Sequence, residues 1–250
     1  MNICVFDTET TSLDKPFCYN VGYVILDADS WGELCRRSYV VEQIWHNLPL
    51  FSTAYYAEKR PLYVADMRAH TTIMDKFGYI CRQMARDFNL YSVYTAFAYN
   101  SPFDEKVFDF NCDWFKCNNP FDTVAIKDIR GFAHYFLVDD VFKQFCEEHE
   151  YFTETGNYST TAETMYKYIS ENTDFIEAHT ALDDAIIEAG ILNACVENGA
   201  DLNRNYAAFR SIERPQKKTL HIIPADSDEV YQFEYTKIRI NKDKTKITLS

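Results

Sequence analysis

The sequence predicts helices packed on a mixed β-sheet, an α/β or α+β domain, with a small β-rich appendage at its C-terminal end. Three observations predict it. Short apolar runs rich in Val, Ile and Tyr, separated by turn residues, open the chain. Segments with apolar residues at helical spacing fill its middle. After Arg210 the pattern returns to short runs with polar turns. This order of elements suits a sheet covered by helices.

Asn2–Phe6 is a short apolar run ending at Asp7 and reads as a buried strand. Asn20–Leu26 and Leu34–Val41 are the next two strands, and Asp27–Gly32 between them has turn chemistry, so the three form a meander. Gln43 to Arg68 has poor periodicity with Pro49 and Pro61 as breakers, which predicts short helices and a flap. His70–Phe88 spaces Ile73, Met74, Phe77, Ile80, Cys81 and Met84 as a helix does. Val93–Ala98 is a strand, and Phe103–Phe110 is a helix entered through Pro102. Thr123–Phe132, Val138–Glu148, Ala162–Ile169 and Ala181–Val196 are further helices, the last stopped near Gly199. Beyond them, Leu220–Ile223, Val230–Tyr235, Lys237–Ile240 and Lys246–Leu249 read as strands, with Asn241–Lys244 as a hairpin turn.

The composition is that of an ordinary globular protein, with 250 residues, 47% hydrophobic and 25% charged. Wholesale disorder, collagen and coiled coil are excluded. The longest uncharged run, Phe88–Phe103, is broken by Asn89, Ser92, Asn100 and Pro102 and falls short of a membrane span. Met1–Phe6 lacks the basic stretch of a signal peptide. The eight cysteines form no C-x-x-C pair, and several sit in apolar segments, so the expected compartment is reducing, the cytoplasm. Net charge is −13, which argues against coating long duplexes by phosphate neutralisation. The charge is uneven: residues 203–250 hold ten Lys and Arg against six Asp and Glu, leaving −17 on the first 202.

Acidic residues carry the chemical signal. Asp7 and Glu9 in Phe6-Asp7-Thr8-Glu9-Thr10 lie two apart on a strand, so both point the same way, about 7 Å apart along the backbone. Carboxylates so placed repel unless a cation sits between them, and oxygen ligands suit Mg²⁺ or Mn²⁺. Asp104 in Asn100-Ser101-Pro102-Phe103-Asp104 stands in the first turn of a helix, where an acid is favoured in any case. In His179-Thr180-Ala181-Leu182-Asp183-Asp184-Ala185, Thr180 and Asp183 have capping-box spacing, which leaves Asp184 free for another task.

Taken together, the three segments resemble the DEDDh family of 3′→5′ exonucleases, the proofreading-exonuclease and ribonuclease-T-like group. The D-x-E strand matches Asp7 and Glu9, the N-x-x-F-D type junction matches Asn100 to Asp104, and H-x-A-x-x-D-A matches His179, Ala181, Asp184 and Ala185. Phe121-Asp122-Thr123 is similar to the family's D-T segment. Thr180 stands where the sister subfamily has Tyr, which favours the histidine subtype. Ser12 departs from the family's frequent Gly, and residues 43–68 match none of its patterns.

The resemblance covers about residues 1–200 and implies a ribonuclease-H-like domain over 1–205, with a basic β-rich appendage over 206–250. It implies that Asp7, Glu9, Asp104 and Asp184 hold two divalent cations, with His179 as general base. It further implies that Thr10, Leu13 and Asn100 contact the substrate, the 3′ end of single-stranded DNA or RNA, from which nucleoside 5′-monophosphates are released; Phe103, beside the second motif, either joins them or packs in the core. Tyr55, Tyr56 and Tyr63, with Lys59 and Arg60 among them, either grip a single strand or pack on the sheet. An adaptor that keeps the nuclease fold is the alternative. The basic residues from Arg210 to Lys246 would then dock a polymerase or another protein partner. A separate candidate is a zinc site from Cys112, Cys117, Cys146 and His149, spaced C-x4-C and C-x2-H.

Overall fold

The structure, a computed structural model, describes residues 1–214 together with the backbone of three strands between 229 and 249. Residues group into two compact units, Met1–Arg214 and Pro215–Ser250. The first is built on a six-stranded sheet. Its strands are β1 (Asn2–Thr10), β2 (Cys18–Asp27), β3 (Gly32–Val41), β4 (Ile73–Asp75), β5 (Thr95–Ala98) and β6 (Ala125–Asp128). They lie in the order β4-β3-β2-β1-β5-β6. The first three form the expected antiparallel meander. β4 runs parallel to β3, β5 parallel to β1, and β6 parallel to β5. The result is a mixed α/β sheet flanked by helices.

Both faces of this sheet are covered. Residues of period two in β1 separate cleanly. Cys4 and Phe6 join one core, under α4 (Phe77–Leu90) and α5 (Ser101–Phe115). Ile3 and Val5 join the other, under α6 (Ile129–Phe136), α7 (Asp140–His149), α8 (Ala162–Ser170) and α9 (Ala181–Glu197). β2, in the middle, is buried along nearly its whole length. Between β3 and β4 lie the expected short helices, α1 (Glu42–Trp45), α2 (Leu48–Phe51) and α3 (Arg60–Arg68), and a short turn of 3₁₀-helix.

Two expected helices are shorter than the sequence suggested. Ile73–Asp75 pairs with Tyr39–Val41 as a strand, and the helix begins only at Phe77. The edge of β3 supplies the pairing, and Thr71, Thr72 and Ile73 are β-branched. Ile73 is exposed, so it was never part of the buried face. Likewise Ala125–Asp128 extends the sheet beside β5, and α6 starts after Asp128, whose carboxylate accepts from the N–H of Arg130 at 3.0 Å. Conversely, β1 runs on past Phe6 through Asp7 and Glu9 to Thr10.

α9 is seated directly on β2. A Cβ added at Gly22 would lie 2.2 Å from the Ala181 carbonyl carbon and 2.1 Å from the Leu182 nitrogen. Beside it, Asn20 is fully buried and ties three elements together. Its Oδ1 accepts from the Ala181 N–H at 2.8 Å and from the Tyr63 hydroxyl at 3.2 Å, and its Nδ2 donates to the Tyr39 carbonyl at 2.7 Å. Past α9 the chain returns over α6, where the Tyr206 carbonyl would collide with any side chain at Gly131. Arg214 forms a bidentate pair with Glu147 at 2.7 and 2.6 Å and stacks on Phe152.

In the second unit, β7 (Glu229–Phe233), β8 (Thr236–Ile240) and β9 (Ile247–Leu249) form an antiparallel sheet in that order. The strand expected at 220–223 and the turn expected at 241–244 lie outside the described residues. The suggested zinc set does not assemble: Cys146 packs in the core under α6–α9, while Cys112 and Cys117 lie on the opposite face of the sheet beside Cys81. All eight cysteines are free thiols. Among the described residues no helix is long and apolar enough to cross a membrane.

Gly22→Ala should destabilise the protein by about 1–3 kcal/mol or more, because both clashing atoms are backbone. Gly190→Ala, which meets only the Tyr166 ring at 3.4 Å, should be close to neutral. Urea denaturation midpoints compare the two. Equal midpoints would mean that α9 is not seated on β2 as described.

Candidate active site

The alternation that buries Ile3 and Val5 under α9 also directs Asp7 and Glu9 to that face, at the strand's C-terminal end. α9 brings Asp184 in its first turn and Glu188 one turn further on the same side. α5 brings Asp104, and the junction before it is fixed by local chemistry. Asn100 takes a left-handed backbone (φ 62°), which Asn tolerates better than most residues. The Asn100 N–H donates to Asp128 at 2.8 Å, and the Tyr99 N–H to Glu188 at 3.1 Å.

These acids converge. The charge of Asp7 raises the pKa of Glu9, Asp104, Asp184 and Glu188 alike. Burial is the largest cause in every case. It pushes Asp7 up to about 7, with the Glu177 charge adding to it. Glu9 is pushed up to about 9 by burial and Asp7, against a Tyr19 hydroxyl that donates to it at 3.4 Å. Asp184 is pushed up to about 10 by burial, Asp7, Glu177 and Glu9. Asp104, 2% exposed, rises through burial and Asp7, although the Thr8 hydroxyl donates to it at 2.6 Å.

His179 completes the group. It sits in a left-handed conformation (φ 51°) just before α9, its ring stacked on Tyr56 with centroids 4.1 Å apart. Glu9, His179 and Asp184 each offer a ligand atom, all within 4.8 Å of one another. The same holds for Glu163, Glu177 and His179. The His179 Nδ1 lies 3.7 Å from Glu177 Oε2. Burial, helped by Lys59, lowers the pKa of His179. Lys59 is itself anchored by its ammonium on the Ala178 carbonyl.

Divalent cations fit this donor set. The ligands are carboxylate oxygens, which suit hard ions. One of them, Asp184 Oδ1, is buried without any hydrogen-bond partner. A buried acceptor left so is destabilising, and a bound cation would satisfy it. Nearby positive charge is slight: Lys59 lowers Glu9 and Glu177 only as a minor influence.

The other predicted residues lie close to these acids in the chain. Thr10 ends β1, its hydroxyl on the Ser12 carbonyl at 3.3 Å. Leu13 is 75% exposed, and its carbonyl accepts from Lys106 of α5 at 2.9 Å. Phe103 is half-buried against the core, and Asn100 is exposed. Of the aromatic–basic group, only Tyr56 and Lys59 reach His179. Tyr63 is core, Tyr55 is exposed, and Arg60 stacks on Trp45 with its guanidinium on that residue's carbonyl at 3.1 Å. Thr180 does not form the expected capping box, since its hydroxyl donates to the Asp183 carboxylate at 2.6 Å rather than accepting from a backbone N–H. Glu188 and Glu177 were not anticipated. The i, i+4 spacing from Asp184 points to Glu188, whereas Glu177 stands in a loop that carries no pattern.

No family model matches the chain, and no curated protein is significantly similar to it in sequence. Solved structures are similar in fold. The nuclease domain of 3′hExo, a DEDDh family member, bound to rAMP, superposes with a TM-score of 0.51 at 15% identity, covering 79% of this chain and 92% of that one. A full-length 3′-exonuclease gives 0.56 at 14% identity, over 87% and 68%. A 3′-exonuclease from a structure of 3′-end-specific recognition of a histone mRNA stem-loop gives 0.55 at 13%, over 79% and 82%. The chain therefore has the ribonuclease-H-like α/β fold of DEDDh-type nucleases.

A carboxyl whose folded pKa is raised contributes stability that is complete below its unfolded pKa, about 4, and is lost as pH rises through the folded value. Metal-free protein should thus lose stability as pH rises through about 7 for Asp7, about 9 for Glu9 and about 10 for Asp184. Asp184→Asn should raise its melting temperature in EDTA at mildly alkaline pH. Thermal melts across pH check both, and a wild-type melting temperature that climbs over this range would contradict the sign.

Proposed function

We propose that the protein is a metal-dependent 3′→5′ exonuclease that hydrolyses the terminal phosphodiester of single-stranded DNA or RNA and releases nucleoside 5′-monophosphates. The observation that carries this reading is the convergence of Asp7, Glu9, Asp104 and Asp184 beside His179, with Asp184 Oδ1 unpaired. The 3′-exonucleases of like fold support the polarity. An adaptor that needs only the fold has no use for buried acids in mutual repulsion, each of which destabilises it.

Asp7, Glu9, Asp104 and Asp184 would hold two divalent cations, Mg²⁺ or Mn²⁺. When bound, these supply the positive charge that draws in the phosphate and eases deprotonation of water. His179, with its pKa lowered, is neutral near pH 7 and free to take the proton of the attacking water. Nδ1 faces Glu177, so the proton is taken at Nε2, and the Glu177 carboxylate stabilises the imidazolium that results. Stacking on Tyr56 fixes the ring plane. The water oxygen becomes bonded to phosphorus, the bond to the 3′-oxygen breaks, and a nucleoside 5′-monophosphate leaves. Leu13 would pack on the terminal base, Thr10 would lie near the terminal 3′-hydroxyl, and Asn100 and Phe103 would flank the strand. The basic appendage would guide nucleic acid or dock a partner protein.

Incubation with 3′- and 5′-labelled single-stranded DNA, RNA and duplex, with Mn²⁺, follows product length over time. Stepwise shortening from the 3′ end is expected. Asp7→Asn should abolish it, and His179→Ala should slow it by about 10²–10⁴-fold, with both variants folded. Full activity in EDTA would refute the proposal.

A further inference from the structure

We propose that Cys81, Cys112 and Cys117 form a second metal site, distinct from the carboxylates, that binds one thiophilic ion such as Zn²⁺ through three thiolates. The three sulfurs all lie within 4.8 Å of one another, with Cys81 Sγ and Cys112 Sγ 3.9 Å apart. Thiolates that share one zinc at about 2.3 Å stand about 3.8 Å apart along the edge of the tetrahedron. The first pair is already at that spacing, and the third sulfur needs to close by at most about 1 Å.

The surrounding chain presents the three groups together. Cys81 projects from α4 and Cys112 from the end of α5. Lys116 then turns the chain with a left-handed backbone (φ 54°), and the Cys117 N–H donates to the Cys112 carbonyl at 3.0 Å. That turn folds Cys117 back against the other two. Cys81 and Cys112 are buried, whereas Cys117 is only half-buried, which gives an ion a way in and leaves the fourth position for water. Three thiols binding a divalent ion release three protons to water and leave a net charge of −1. The Arg82 guanidinium beside Cys117 offsets it.

Hard and soft chemistry keep the two sites apart. Thiolates favour zinc-like ions and carboxylates favour Mg²⁺ or Mn²⁺. Cys112 lies eight residues beyond Asp104 on α5, about 12 Å along the helix axis. The other five cysteines contribute to no such group among the described residues. An ion here would staple α4 to the end of α5, the helix that carries Asp104.

The test is titration of the full, reduced chain with Cd²⁺ after chelator removal, with Mg²⁺ in excess, following the ultraviolet thiolate-to-cadmium charge-transfer band. Saturation at one equivalent is expected, with Zn²⁺ displacing the signal. Cys117→Ser, at the half-exposed position, should weaken binding by at least the roughly tenfold that loss of even an outer-sphere partner costs. Cys146→Ser should leave it unchanged. No band at one equivalent, a band intact in Cys117→Ser, or equal loss in Cys146→Ser would overturn the proposal.

Discussion

Like charge forced together away from water is the constraint on which this structure turns. Asp7 bears on four other carboxyl groups at once, and burial outweighs every hydrogen bond that favours their ionised forms. Each group arrives by a different route. Strand alternation sets Asp7 and Glu9, docking of α9 on β2 sets Asp184 and Glu188, and the turn at Asn100 sets Asp104. Such a cluster is destabilising by itself and is tolerated where a ligand compensates it. Asn20 and Gly22 show how firmly the convergence is enforced, since one bonds α9 to β2 and the other lets them touch.

Much of this was legible in the chain. The meander, α5 and α9 follow from apolar runs, turn residues and a Pro at a helix start, and the acids sit where period two and the helix starts require. What escaped did so for tertiary reasons. Ile73–Asp75 and Ala125–Asp128 become strands because exposed sheet edges offer partners, a gain that local periodicity cannot register. Thr180 and Asp183 have the right spacing for a cap, yet their side chains bond to each other. Glu177 joins the cluster through a loop whose path nothing local dictates. Cys112 and Cys117 find Cys81, thirty-one residues before the first of them, rather than Cys146, because α4 and α7 lie on opposite faces of the sheet.

The acidic body with −17 over its first 202 residues would be no obstacle to the proposed polyanionic substrate if cations filled the carboxylates. On the proposed reading, charge at the site would then belong to the ions more than to the chain, and the groups around them that would meet the substrate are Tyr56 stacked on His179, Lys59 anchored on Ala178, and the exposed Leu13. α5 links the acid cluster at its first turn to the three thiols at its last, so the position of Asp104 depends on how both ends of that helix are held.

Anomalous diffraction from crystals soaked in Mn²⁺ tests the central claim most directly. Two peaks are expected, both within ligand distance of Asp7 and shared among Glu9, Asp104 and Asp184, with Asp184 Oδ1 bound to one of them. Saturating Mn²⁺ that leaves the carboxylates without a peak, or that settles elsewhere on the surface, would contradict it.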